Sequence, residues 1–373
     1  MAKRGNGEGS IYQRKSDGKW VGSISLENGK RKAIYGKTRK EVQEKMKVTL
    51  REQQQGTLIT APQQTLKDYL EYWLEDVHKM NIRVSTYVKY KKLLKHILPT
   101  LGQTMLQKLT PQQVQKLYAN KLKEGLSPKM VVNIHGVLHK ALDNAVKWGL
   151  VAKNVCDLVS PPRLPKIEQQ VLTLEQAHTL FEHVKKHRLE VVLMLALTTG
   201  MRRGEILALR WHDVNLHEGS IQVKRTVDYI PHYGYVETEP KTARGFRKIM
   251  LPSFVVGALK AHRLQQDEVR SKAGDKWVEK ELIFCGLLGD YFNPNYLLRV
   301  FKQVLIDAGL PHMRFHDLRH SAATILLSMN IHPKVVQELL GHSTIGMTLD
   351  IYSHVLPSMQ KDITDRWDDE LGE

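Results

Sequence analysis

Two interruptions divide this chain into stretches with different hydrophobic periods, so it cannot close around a single core. Residues 53–64 are polar and broken by Gly56 and Pro62. Residues 160–166, Ser-Pro-Pro-Arg-Leu-Pro-Lys, carry consecutive prolines, which cannot continue a helix and favour an extended path. The 373 residues suffice for two or three domains. Domains at 1–56, 57–162 and 166–373, the last ending in a tail helix, follow from the breaks.

Ahead of the first break, residues 19–26 and 30–35 read as strands, and Asn28-Gly29 between them is a hairpin signal. Thr38 and Glu41 make a capping box for a helix whose inner face is Val42, Met46 and Leu50. Between the breaks, four amphipathic helices are expected. The first follows Thr65 and Asp68, the second follows Ser85 and is stopped by Pro99 and Gly102, and the others open at Thr110-Pro111 and Ser127-Pro128. Past the second break, Thr173 and Gln176 cap a helix, and residues 189–198 are apolar nearly all round, which predicts a buried one. Residues 220–229 and 236–251 read as strands, with Lys241 where one turns into the next. The expected fold is α+β and multidomain: a small sheet with one helix, an all-helical bundle, and a mainly helical C-terminal domain with a β-hairpin sheet.

The formal net charge of +17 predicts a polyanionic partner. Nucleic acid fits better than membrane, because no 18-residue apolar run appears. Residues 1–56 hold 14 basic against 6 acidic side chains, whereas residues 357–373 hold 2 against 6, so the tail does not face that partner. Lys30, Arg31 and Lys32 sit on a ribbon that can enter a DNA major groove, and Lys89 and Lys92 lie on the outer face of the second bundle helix. Two cysteines and a basic N-terminus without an apolar core predict a reducing cytoplasm and no secretion signal.

Residues 312–354 gather the chemistry. His316, Arg319 and His320 share one face of a helix, giving it a cationic front, while Leu318, Ala322, Ile325 and Met329 share another. Pro333 opens a second helix that Gly341 can end in the left-handed conformation, holding His342 on a corner. Ser343 or Thr344 can cap a third helix carrying Ile345, Leu349 and Tyr352 on one stripe. Arginine grips phosphate oxygens bidentately, histidine moves protons near neutral pH, and a tyrosine hydroxyl needs such neighbours to act as a nucleophile. Upstream, Arg202 emerges from the end of the buried helix with Glu205 one turn on as its partner. His316 and His320 at i, i+4 also match a zinc helix, but Arg319 between them would repel the ion and no third ligand is marked.

The strings His316-x-x-Arg-His, Leu-Gly-His342 and Tyr352, with Thr-Gly-Met-Arg202-Arg-Gly-Glu upstream, resemble the signature of the tyrosine recombinases, the integrases of phages and conjugative transposons. The resemblance implies roles. Tyr352 would attack the scissile phosphate, while Arg202, Arg319 and His342 hold its oxygens. Lys241, with Lys248 as substitute, would protonate the leaving 5′-oxygen. His316 would move the tyrosine proton, with Glu205 and His320 in support. It also implies an arm-binding domain at 1–56, a core-binding domain at 57–162, and a homotetramer acting on two duplexes through a Holliday junction in the bacterial cytoplasm and nucleoid. A host DNA-bending protein and an excision factor are the implied accessory partners, and neither metal nor other cofactor is implied. Two alternatives stay open: a type IB topoisomerase, and a DNA-binding regulator that lacks catalysis.

Overall fold

A computed structural model describes residues 10–25, 31–54, 58, 62–165, 170–240, 243–341, 344–346, 349 and 367. The chain divides into two compact units, 1–166 and 167–373. The first contains two separate apolar cores.

The earlier core belongs to an antiparallel sheet of β1 (Ser10–Gln13), β2 (Trp20–Ser25) and β3 (Arg31–Gly36) in that order, packed on α1 (Arg39–Gln54). Ile24 and Ile34 pack on Val42 and Met46 of the helix. Half of the expected capping box forms: the Glu41 amide donates to Thr38 Oγ1 at 3.2 Å, while Glu41 Oε2 accepts from the amide of Lys37, one residue ahead of the cap, at 2.8 Å. Lys30 and the rest of the turn at 26–30 lie outside the described residues. Strand alternation separates two cations that are adjacent in sequence. Arg31 and Tyr35 share the outer face, whereas Lys32 is opposite Ile24 and shares the face of buried Ile34, towards α1. Arg31 and Lys32 therefore do not form one patch.

The second core is a bundle of α2 (Leu66–Tyr72), α3 (Val84–Leu101), α4 (Pro111–Lys123) and α5 (Pro128–Lys147). Thr65, Thr110 and Ser127 cap α2, α4 and α5 through their hydroxyls. Tyr69, Ile97, Leu117, Ile134 and Leu138 are fully enclosed. After Tyr72 the helix widens into a π turn over Trp73–His78, and the Trp73 and His78 rings stack at 4.6 Å. The expectation that Pro99 stops α3 is corrected: the helix runs through it to Leu101. Pro99 and Lys95 are both exposed, so water can serve the carbonyl that loses its donor, and the Gly102 amide resumes the ladder to Leu98 O at 2.9 Å.

The second unit comprises α6 (Leu174–His183), α7 (Glu190–Thr199), α8 (Arg203–Leu207), β4 (Val214–Asn215), β5 (Ser220–Val223), β6 (Thr226–Ile230), β7 (Gly234–Thr238), β8 (Arg247–Met250), α9 (Ser253–Ala273), α10 (Pro294–Asp307), α11 (Asp317–Ser328) and α12 (Pro333–Leu340). As its composition predicts, α7 is buried from Val191 to Leu197. It packs against α6, α8, α9 and α11. The strands form two ladders, β4-β5-β8 and β6-β7. The segment after β7 thus leaves one ladder to enter another, which corrects the expectation that Lys241 tips a hairpin of two paired strands. The hairpin turn lies at residues 231–233 instead, between β6 and β7. Ion pairs fix both stems of that hairpin. Buried Asp213 takes Arg225 at 2.7 Å and Lys224 at 3.2 Å just before β6, and on β7 Glu237 takes Arg210 at 3.0 Å and the Tyr291 hydroxyl at 2.8 Å.

Candidate active site

Two left-handed glycine corners shape the site. α7 ends at Gly200 with φ 59°, and α12 ends at Gly341 with φ 68°. Both conformations are costly for a residue with a Cβ, and the space is closed too. A Cβ on Gly200 would lie 2.1 Å from Leu340 Cδ2, so the end of α12 rests directly on the corner that delivers Arg202.

Arg202 caps α8, and Glu205 returns to it twice. Glu205 Oε1 accepts from Arg202 Nη1 at 2.6 Å, and Oε2 accepts from the Arg202 amide at 3.0 Å. Oε2 also accepts from Arg247 Nη2 at 2.9 Å. Burial alone would raise the Glu205 carboxyl; the charge and hydrogen bond of Arg247, followed by Arg202, outweigh it and hold the group below the usual carboxylate range. The Arg202 side chain remains 43% exposed, so one guanidinium is both anchored and open to a ligand.

Arg319, on the first turn of α11, is buried. Its Nη1 donates to Gly200 O at 2.7 Å, which ties α11 to the same corner. Its Nη2 is buried and has no hydrogen-bond partner among the described residues. Burial, and then the charge of Arg202, pull its pKa down to about 9, with Glu205 opposing, so it stays charged near neutrality. A buried guanidinium nitrogen without an acceptor, beside a second arginine, is a place for an anion.

The expected cationic front of α11 is corrected in kind. His316 shows an exposed edge, yet the burial of its inner side, followed by the charges of His320 and Arg319, pushes it down to about 4. His320 is lowered by burial as well, and its Nδ1 is enclosed without a partner among the described residues. The two rings meet edge to face at 5.3 Å. Near neutral pH the front therefore carries one buried charge and two neutral imidazoles, which can accept or relay a proton.

Arg202, Glu205, His316, Arg319 and His320 are thus brought together. Lys241, His342 and Tyr352, and nearly all of the third helix and the tail, lie outside the described residues. Lys248 is turned away on the exposed side of β8 and pairs with Glu218. In the bundle, Lys89 and Lys92 are exposed on α3, and Lys89 Nζ reaches Asn133 Oδ1 at 3.4 Å. Arg247 is the residue that the sequence reading missed. Its signal was strand alternation: Arg247 and Ile249 share a face opposite Lys248, and a cation on the buried side of a strand needs a partner.

A model of the phage integrase family matches residues 170–359, and one of the phage integrase N-terminal SAM-like domain matches residues 65–123. A tyrosine recombinase XerC-like protein of Caldanaerobacter subterraneus is 33% identical over 364 residues, covering 92% of this chain and 93% of that protein. Among solved structures, the Tn1549 transposon integrase superposes with a TM-score of 0.68 at 21% identity, covering 81% of this chain and 99% of that one. A lambda integrase superposes at 0.57 with 18% identity, covering 94% and 96%. At those identities the superpositions establish the fold, while the matched model and the Caldanaerobacter relative establish kinship: the chain belongs to the phage integrase family, the tyrosine recombinases.

Proposed function

We propose that this enzyme is a site-specific integrase that cuts and rejoins duplex DNA through a 3′-phosphotyrosyl link, with Arg202 and Arg319 gripping the scissile phosphate. The observation that carries this reading is the buried Nη2 of Arg319, which has no partner among the described residues, beside the half-exposed guanidinium of Arg202. Two such donors, held in place before the reaction, stabilise the charge that develops on the non-bridging oxygens in the transition state.

Tyr352 Oη forms the bond to phosphorus as the bond to the 5′-oxygen breaks, and Lys241 gives that oxygen its proton. His342 donates to a non-bridging oxygen, while neutral His316, with His320 behind it, takes up the tyrosine proton. Attack by the 5′-hydroxyl of another strand reverses these steps and rejoins the DNA, so bond energy is kept in the protein link and the proposed cycle uses neither ATP nor metal.

Residues 1–56 serve as an arm-binding domain through Lys30 and Arg31, 57–162 as a core-binding domain through Lys89 and Lys92, and 166–373 as the catalytic domain. In the structures of relatives, the Tn1549 integrase is bound to transposon right end DNA and a lambda integrase tetramer to a Holliday junction. By the same scheme this chain acts as a homotetramer on two duplexes in the nucleoid of a bacterial host, assisted by a DNA-bending protein and an excision factor.

The test is a nicked suicide duplex carrying the core site, offered to the full chain and to Tyr352→Phe. A covalent protein-DNA adduct from the wild type that disappears in the variant is the expected result. Tight binding of that duplex with no adduct from either protein would instead support a DNA-binding regulator.

A further inference from the structure

We propose that Arg247 is a positioning residue for recombination, holding the Arg202 corner, the foot of the Lys241 loop and the last turn of α12 as one body. This rests on the reading of Arg202 as a phosphate ligand. The Arg247 side chain is only 6% exposed, and its planar fork is used in three directions. Nη2 donates to Glu205 Oε2 at 2.9 Å, Nε to Leu339 O at 2.8 Å, and Nη1 to Gly245 O at 3.2 Å. These acceptors belong to α8, to the end of α12, and to the loop that follows Lys241 in the sequence. A lysine could satisfy one of them, whereas a guanidinium reaches all three without leaving its plane.

The packing at Gly341 points the same way. A Cβ there would lie 2.8 Å from Arg244 O and 3.1 Å from Arg247 Cδ, so the end of α12, just ahead of His342, is seated on the Arg247 side chain. Electrostatics gives the contact a second effect. Glu205 is faced by Arg202 from α8, Arg247 from β8 and Arg319 from α11. With Arg247 present the carboxylate is shared; without it, Arg202 alone carries the pairing and is drawn back from a ligand. The Leu339 carbonyl also loses a charge-assisted donor in a crowded place.

The experiment compares Arg247→Gln and Arg247→Lys with wild type in single-turnover cleavage of the nicked suicide duplex. Both variants should bind that duplex with unchanged affinity and form adduct about a hundredfold more slowly, the cost of misplacing one preorganised donor. The acid limb of the rate should move to higher pH in Arg247→Gln, because Glu205 loses the cation that most opposes burial, and should stay in place in Arg247→Lys. A wild-type rate in Arg247→Gln overturns the proposal. So does a slow rate matched by an equal loss of affinity with an unmoved acid limb, since Arg247 would then only support the fold. If the wild type itself forms no adduct, the recombinase reading fails instead. Positioning is then decided without chemistry by the crystal structure of Arg247→Gln: displaced Arg202 and Leu339 uphold it, and both unmoved overturn it.

Discussion

Arg319 is 3% exposed and fixed to a backbone carbonyl of another element, while Lys92 on the helical bundle stands in solvent with no ion-pair partner among the described residues. Both are cations in a chain of net charge +17, but the fold uses them differently. Around Gly200 each cation is paired or hydrogen-bonded and held in one geometry, which is what stabilising a transition state demands. On α3 the Lys92 ammonium keeps its water and its rotamers; such a group favours a polyanion through released counterions and has no fixed geometry to lose. Burial, more than charge, separates a group suited to rate from one suited to affinity.

The largest expected break in that contrast is Arg319→Lys. The charge is kept but the forked, buried donor is lost, so adduct formation on the suicide duplex should fall about 10²–10³-fold at saturating DNA, with binding little changed. A variant that binds weakly but cleaves at the wild-type rate would erase the distinction. The converse experiment, Lys89→Gln with Lys92→Gln, should lower the slope of log affinity against log salt by about 2 and leave the saturated cleavage rate alone. An unchanged salt slope would remove these lysines from the DNA face.

The smallest effect sharpens the electrostatics. His316 is pushed down to about 4, below the ordinary histidine value, so between that pH and about 6.5 the unfolded chain binds more protons at this position than the folded one. Stability should therefore fall as the pH drops through this window, and the His316 contribution should level off below it. His316→Gln should flatten the decline relative to wild type in melting curves taken from pH 6.5 to 4. Equal slopes would mean that the ring is solvated enough to titrate normally.

Much of the site was legible because it is encoded locally. Arg202 and Glu205 are three residues apart across a helix start, so their pairing follows from the geometry of one turn. Gly341 was readable for the same reason, since a helix that ends on glycine announces a left-handed corner. Arg247 was not readable in this way: Glu205 and Leu339 are 42 and 92 residues distant from it, and only packing joins them. The strand order was likewise hidden, because the stretch from 220 to 251 gives alternation without saying which strands pair, and the partners that anchor the hairpin come from outside it, Asp213 to Arg225 and Arg210 to Glu237 of β7.

By itself the sequence determined most of the helices with their caps, the basic character of residues 1–56, and the residue types of the chemistry, since each depends on neighbours within a few positions. Tertiary structure decided what those types become. It turned the Lys32 face of the sheet towards α1, lowered the pKa of His316, left one nitrogen of Arg319 without an acceptor among the described residues, and set Arg247 between three segments. The physical reason is that period and capping are properties of a short stretch of backbone, whereas desolvation and long-range pairing exist only once distant stretches exclude water together.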